Sequence, residues 1–204
     1  GQALLGGGTP VGVTLVGGPK DGQHIIFTPP GTRPTVVGNN AGIDLIEMAS
    51  GSQNRVTGLD LQGAFANGIA GQNMVRAIIT DNNITGGARN GVYLQRRGAG
   101  VPPFSYTYIA RNGLFGNAHD GIRFGSYVTD GQSHSELVWI ADNFASGNGD
   151  NGIAVTNTMR SAGTTLGQNL YILFNTAVGN GLDGIRTVNR VRYGAGISQF
   201  INVI

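Results

Sequence analysis

His119 and Asp120 stand side by side in Ala118-His119-Asp120-Gly121, with Arg123 close behind. An imidazole and a carboxylate are the side chains that abstract and return protons near neutral pH, and a guanidinium pairs with a substrate carboxylate. His119, Asp120 and Arg123 are therefore the candidate catalytic group, although no second His or placed Tyr accompanies His119. Asp120 and Asp183 form a second arrangement. If the chain stacks in coils they lie two coils, or about 9–10 Å, apart, near the carboxyl separation of inverting glycosidases. The same slot holds Asn67, Asn90 and Asn151 in other repeats, so a turn position is the stronger reading. Asp130, His134 and Glu136 could ligate a metal ion, but they share one insert and are expected to be solvated surface, with no metal site. Tyr93, Arg123 and Arg186 are the candidate ligand-binding residues, a ring and two guanidiniums able to meet sugar faces and carboxylates.

These residues sit in a repeat. Asn175 to Ile185, Asn143 to Ile153 and Asn112 to Ile122 align, as does Asn83 to Val92 with one residue fewer. An Asn-Gly or Asp-Gly followed by Ile or Val recurs at Gly68, Gly91, Gly121, Gly152 and Gly184, at intervals of 23, 30, 31 and 32 residues. That period belongs to a solenoid, propeller or array. An apolar run rich in β-branched and aromatic residues precedes each glycine-rich turn: Val75 to Thr80, Tyr106 to Ala110, Leu137 to Ala141 and Leu170 to Phe174. Apolar residues alternate with period two and no stretch carries a helical stripe, which predicts strands. In Gly-Ile-x-apolar the alternation sends Ile inward and x outward, giving an outer row Ala70, Tyr93, Arg123, Ala154, Arg186.

A unit this short cannot bury its own apolar face and must stack on its neighbours. Stacking aligns Asn83, Asn112, Asn143 and Asn175, whose amides would pass from coil to coil as a ladder. Inserts of about ten residues (95–104, 125–135 and 156–168) leave successive coils at one point and predict adjacent loops on one edge, often a binding face.

Composition narrows the classes. The 204 residues are long enough for a single domain, 1–204, with a sizeable core. Thirty-six Gly without a Gly-X-Y period are turn glycines, and 40% hydrophobic content is too high for disorder. A net charge of +2 from scattered Lys and Arg gives no support to nucleic-acid binding. Without Cys there is neither a disulfide nor a thiolate metal site. No apolar run is long enough for a transmembrane segment. Gly1 opens no signal peptide and 198–204 reads as a strand cut short, so the chain is expected to be a fragment of a longer protein.

On these strands and turns the chain resembles the right-handed parallel β-helix, or pectate-lyase-like, superfamily with its degenerate Asn-Gly-Ile repeats, over roughly Val11 to Ile204. The resemblance implies an all-β solenoid of about six to eight coils. It carries no catalytic motif with it. In Val138-Trp139-Ile140-Ala141-Asp142-Asn143, Ala141 and Asp142 replace the Asp and His of the lyases' Trp-Ile-Asp-His. The polygalacturonase and alginate-epimerase motifs are missing too. A secreted or cell-surface module follows as the expectation: an adhesin, stalk or passenger that contacts a polysaccharide or surface protein, without chemistry or cofactor. The opposing expectation is a polysaccharide lyase, C5-epimerase or glycoside hydrolase in a groove beside the inserts, with calcium entering only for a lyase.

Overall fold

A computed structural model describes residues 2–5, 11–14, 24–27, 33–97, 103–129, 133–160 and 162–204. Within them every regular element is a strand. The chain passes repeatedly through three parallel sheets, making an all-β parallel solenoid. Sheet I holds Gln2–Leu5, Gln53–Thr57, Arg76–Thr80, Phe104–Ala110, Ser133–Ala141, Thr165–Leu173 and Gly196–Val203. Sheet II holds Thr35–Asn39, Asp60–Ala64, Asn83–Thr85, Gly113–Phe115, Phe144–Ser146 and Thr176–Val178. Sheet III holds Ile46–Met48, Ile69–Gln72, Val92–Arg97, Ile122–Val128, Ile153–Met159 and Ile185–Val191. About four turns separate Gln53–Thr57 from Thr165–Leu173, fewer than the six to eight expected. One reason is that Val11–Thr14 and His24–Phe27 pair antiparallel with each other and add no coil.

Register follows the side-chain period of two. Ile69, Val92, Ile122 and Ile153 pair in succession across sheet III and all face inward, fully buried. Ile79, Ile109, Ile140 and Ile172 do the same in sheet I. Each such side chain contributes about 1.5–3 kcal/mol of burial, and a one-residue slip would turn a whole stack outward.

Three corners close each coil. At the first, the backbone N–H and Nδ2 of Asn82, Asn112 and Asn143 each donate to Oδ1 of the next Asn in the series, ending at Asn175, over 2.9–3.0 Å. The same Nδ2 groups reach the carbonyls of Val56, Ile79 and Ile109. Asn82 rather than Asn83 belongs to this ladder. Asn83 opens the sheet II strand opposite Gly113, so the repeat Asn82 to Val92 has the same length as Asn112 to Ile122. A left-handed residue precedes each ladder Asn: Asp81, Arg111, Asp142 and Phe174, with φ of 54–60°. The second corner stacks Asn117, Asn148 and Asn180 in the same manner, behind left-handed Gly116, Gly147 and Gly179.

The described residues of the inserts are mostly strand: 95–97, 125–128 and 156–159 lengthen sheet III, and 104, 133–135 and 165–168 lengthen sheet I, so there the coil is widened where loops were expected. Past the main core lies a second apolar cluster of Val128, Met159 and Leu166. Between the two clusters is a buried polar layer, where Glu136 accepts from Arg96 at 2.5 Å, from Ser126 at 2.6 Å and from Gln168 at 2.5 Å. Asn157 extends it to Gln168 and to Asn189 of the next coil.

Two expectations follow. Asn143→Ala removes the acceptor of the Asn112 N–H and Nδ2 and should cost on the order of 1–3 kcal/mol in denaturant unfolding; an effect no larger than that of an exposed Asn would reject the ladder as a stabilising element. The second concerns Asp81, held by Arg111 at 2.8 Å through both oxygens. Burial pushes its carboxyl up, but hydrogen bonds from Arg111 and Thr80 and the charges of Arg111 and Arg33 outweigh that, and it titrates below its usual 3.8. A depressed carboxyl stabilises above its unfolded value and loses that contribution as pH falls through its folded one. Both partners are well exposed, so solvent screening limits the pair to about 0.2–1 kcal/mol. Asp81→Asn, which keeps a side chain tolerant of the left-handed backbone, should be less stable than the parent by that amount at neutral pH and equal to it near pH ~2.

Candidate functional site

The third corner belongs to the residues that chemistry singled out. Asp44, Asn67, Asn90, Asp120, Asn151 and Asp183 stack there, and each backbone N–H from Asn67 onward donates to Oδ1 of the preceding member. Where the residue is Asn, its amide donates as well, as Asn67 does to Asp44, Asn90 to Asn67, and Asn151 to Asp120. A carboxylate fits this slot because it needs only to accept. No two Asp are adjacent in the column, which would set acceptor against acceptor.

Asp120 is consequently spent on structure. It is 0% exposed, its Oδ1 takes the Asn151 N–H and Nδ2 at 3.0 and 2.6 Å, and its Oδ2 takes Arg123 Nη1 at 3.0 Å. Both of its oxygens thus serve the coil and the neighbouring Arg123. Asp183 occupies the same column two coils on, with Asn151 between, as a turn position requires. His119 is separate from both. It points out of the corner and its Nδ1 meets Asp150 Oδ2 of the next coil at 2.8 Å, with both side chains exposed. Of the suspected metal group, Asp130 lies outside the described residues. His134 and Glu136 are buried inside the coil, with Glu136 in the polar layer.

The outer face of sheet III carries the rest. Tyr93 and Arg123 are register neighbours, as are Arg123 and Ala154, and Ala154 and Arg186. Tyr93 and Arg123 thus adjoin, while Arg186 stands two coils beyond Arg123, about 9–10 Å along the axis. The Tyr93 hydroxyl donates to Gln95 Oε1 at 2.9 Å. Beside this pair lies an open trough of about 180 Å³ walled by Tyr93, Gln95, Arg123, Tyr127 and Thr156. A second depression at the third corner shares Tyr93 and Arg123 and adds Arg89 and His119. Guanidiniums collect around them: Arg97 and Arg160 lie 5.8 and 5.4 Å from the Tyr127 ring. Among the described residues, neither these two nor Arg89 or Arg186 has a carboxylate in ion-pair reach.

Sequence reasoning missed Tyr127, Arg97 and Arg160, which it placed in or beside loops. The period-two phase carried on through Gly125-Ser126-Tyr127-Val128 would have found Tyr127. Sheet I also shows aromatic rings outward, but Trp139 and Tyr171 stack on each other at 4.2 Å and 18°. Their faces are used between coils, leaving edges for any ligand.

Asp120→Asn keeps the acceptor and places in the slot the residue found at Asn90 and Asn151, so its unfolding free energy should stay within about 1 kcal/mol of the parent. Asp120→Ala should cost on the order of 1–3 kcal/mol. Equal losses in the two variants, measured by denaturant titration, would show that the charge rather than the ladder holds this corner. Compared with known proteins, the chain matches no family model and is similar to no curated protein and no solved structure.

Proposed function

We propose that the chain is a polysaccharide-contacting β-solenoid module of a secreted or cell-surface protein, an adhesin, stalk or passenger that performs no chemistry. The observation that carries the reading is the adjoining Tyr93 and Arg123 over an open trough, with guanidiniums around it that form no ion pair among the described residues. Shallow relief suits an extended chain better than a small molecule, which binds in enclosed apolar cavities. Asp120, the carboxylate an enzyme would need, is occupied by the coil. The parallel coils and Asn-Gly-Ile turns resemble those of the pectate-lyase-like superfamily, whose polysaccharide ligands agree with the reading.

A second reading, a lyase, C5-epimerase or glycoside hydrolase, is favoured by the His119 and Asp150 pair. A carboxylate on Nδ1 fixes the ring and leaves Nε2 toward solvent, the arrangement of an oriented base.

The deciding experiment titrates the purified chain with polygalacturonate, alginate and dextran, following binding and the absorbance of unsaturated products together, with and without calcium. Binding without new absorbance or shortened chains is expected, weakened about tenfold by Tyr93→Ala or Arg186→Ala. Turnover abolished by His119→Ala would replace this reading with the enzyme. Absence of binding to every polymer would overturn both and direct attention to a surface-protein partner.

A further inference from the structure

Gly125 is a glycine that the fold does not require. It lies in mid-strand in Ile122–Val128 at an outward position, where a missing side chain weakens a strand. Its φ is outside the left-handed range, unlike that of Gly116 or Gly147. A Cβ built on it would meet only the Thr156 carbonyl, at 3.5 Å, an ordinary contact. At Gly121, by contrast, a Cβ would come within 2.7 Å of the Gly152 carbonyl. Neither backbone nor packing therefore accounts for the absent side chain at 125.

What its absence does produce is the floor of the trough. The register neighbours of Gly125 are Gln95 in one coil and Thr156 in the next, and its neighbours on the outward phase are Arg123 and Tyr127. All four carry side chains, so the pit is bounded on every side. Its walls offer an amide, a hydroxyl, a phenol and a guanidinium, the donors and acceptors that a ring bearing several hydroxyls and an acidic substituent would use. The trough and the corner depression share Tyr93 and Arg123. The combined groove therefore runs along the strand, from Arg89 and His119 to Tyr127, transverse to the solenoid axis.

Resting on the polysaccharide reading above, we infer that Gly125 opens a subsite for one acid-bearing pyranose of a polymer lying along Ile122–Val128. Arg97 and Arg160, beside Tyr127 at the far end of the groove, hold the acidic substituent. Single-stranded nucleic acid is the other polymer that basic and aromatic surfaces take. It is served by ring faces in series, whereas Tyr127 has two guanidiniums close to its ring and the groove holds a single pit.

The test compares Gly125→Val with Gly167→Val. Gly167 is also outward in mid-strand and unconstrained, but on sheet I away from the groove. Because Val favours strands, both variants should melt at or above the parent temperature. Only Gly125→Val should weaken binding of the polysaccharide that the parent binds, by about tenfold or more, and Arg160→Ala should weaken the acidic polymer but not its carboxyl-reduced form. Parent-like binding by a folded Gly125→Val overturns the subsite and leaves the module reading standing. Should the parent bind no polysaccharide, or bind oligo(dT) more tightly than any of them, both fall.

Discussion

Backbone groups at the bends of a solenoid have no strand partner, and the side chains of Asn and Asp supply one. In the two all-Asn columns one Oδ1 accepts two donors from the preceding coil, and the amide nitrogen returns to a carbonyl of that same coil while also donating to the Asn of the following one. An Asn at a corner thus ties three coils together. Buried polar groups must be satisfied. The composition of the chain, rich in Asn and Gly and poor in charge, follows from that demand. Donation runs toward the following coil at the first two corners and toward the preceding one at the third. Asp occurs only at the third because members of the first two columns also use the amide nitrogen to satisfy a backbone carbonyl, a bond that a carboxylate cannot make.

The interior answers a different constraint. Up to Leu94 and Phe124 the inward positions are apolar, and a short coil suffices. When the strands run on, the inward phase reaches Arg96, Ser126, Glu136 and Gln168, and a buried carboxylate is tolerable only if compensated. Here it accepts from three side chains on neighbouring strands. A second apolar cluster then closes the wide end. The surface above this layer is the floor of the groove, so the widening that holds Glu136 also gives sheet III the length that brings Tyr127 onto the face shared with Tyr93.

Much of the architecture was legible because period two and a recurring turn are strong signals. Strands, stacking and the outward row Tyr93, Arg123, Arg186 follow from alternation alone. The register of the first ladder was missed by one residue where Asn82 and Asn83 are adjacent, since composition cannot choose between neighbours and the left-handed Asp81 has no mark in the sequence. The inserts were misread for a related reason. In Ser133-His134-Ser135-Glu136 both phases are polar, so the inward one cannot be told from the outward, and a strand looks like a loop. His119 was paired with its sequence neighbour, whereas in a solenoid the neighbour that matters lies a full coil away, at Asp150.

That distance along the chain also governs how the molecule holds together. Contacts between coils join residues about 23 apart at the start and 30 to 32 apart later, so each coil is held mainly by its immediate neighbours. The two halves are unequal. Coils before Arg96 have one apolar compartment, while Arg96, Glu136 and Gln168 clamp three successive later coils across a span that no single coil covers. The polar layer, which continues through Asn189 and Gln199, therefore links the wide coils into one block, whereas the narrow coils before Arg96 show no such layer among the described residues.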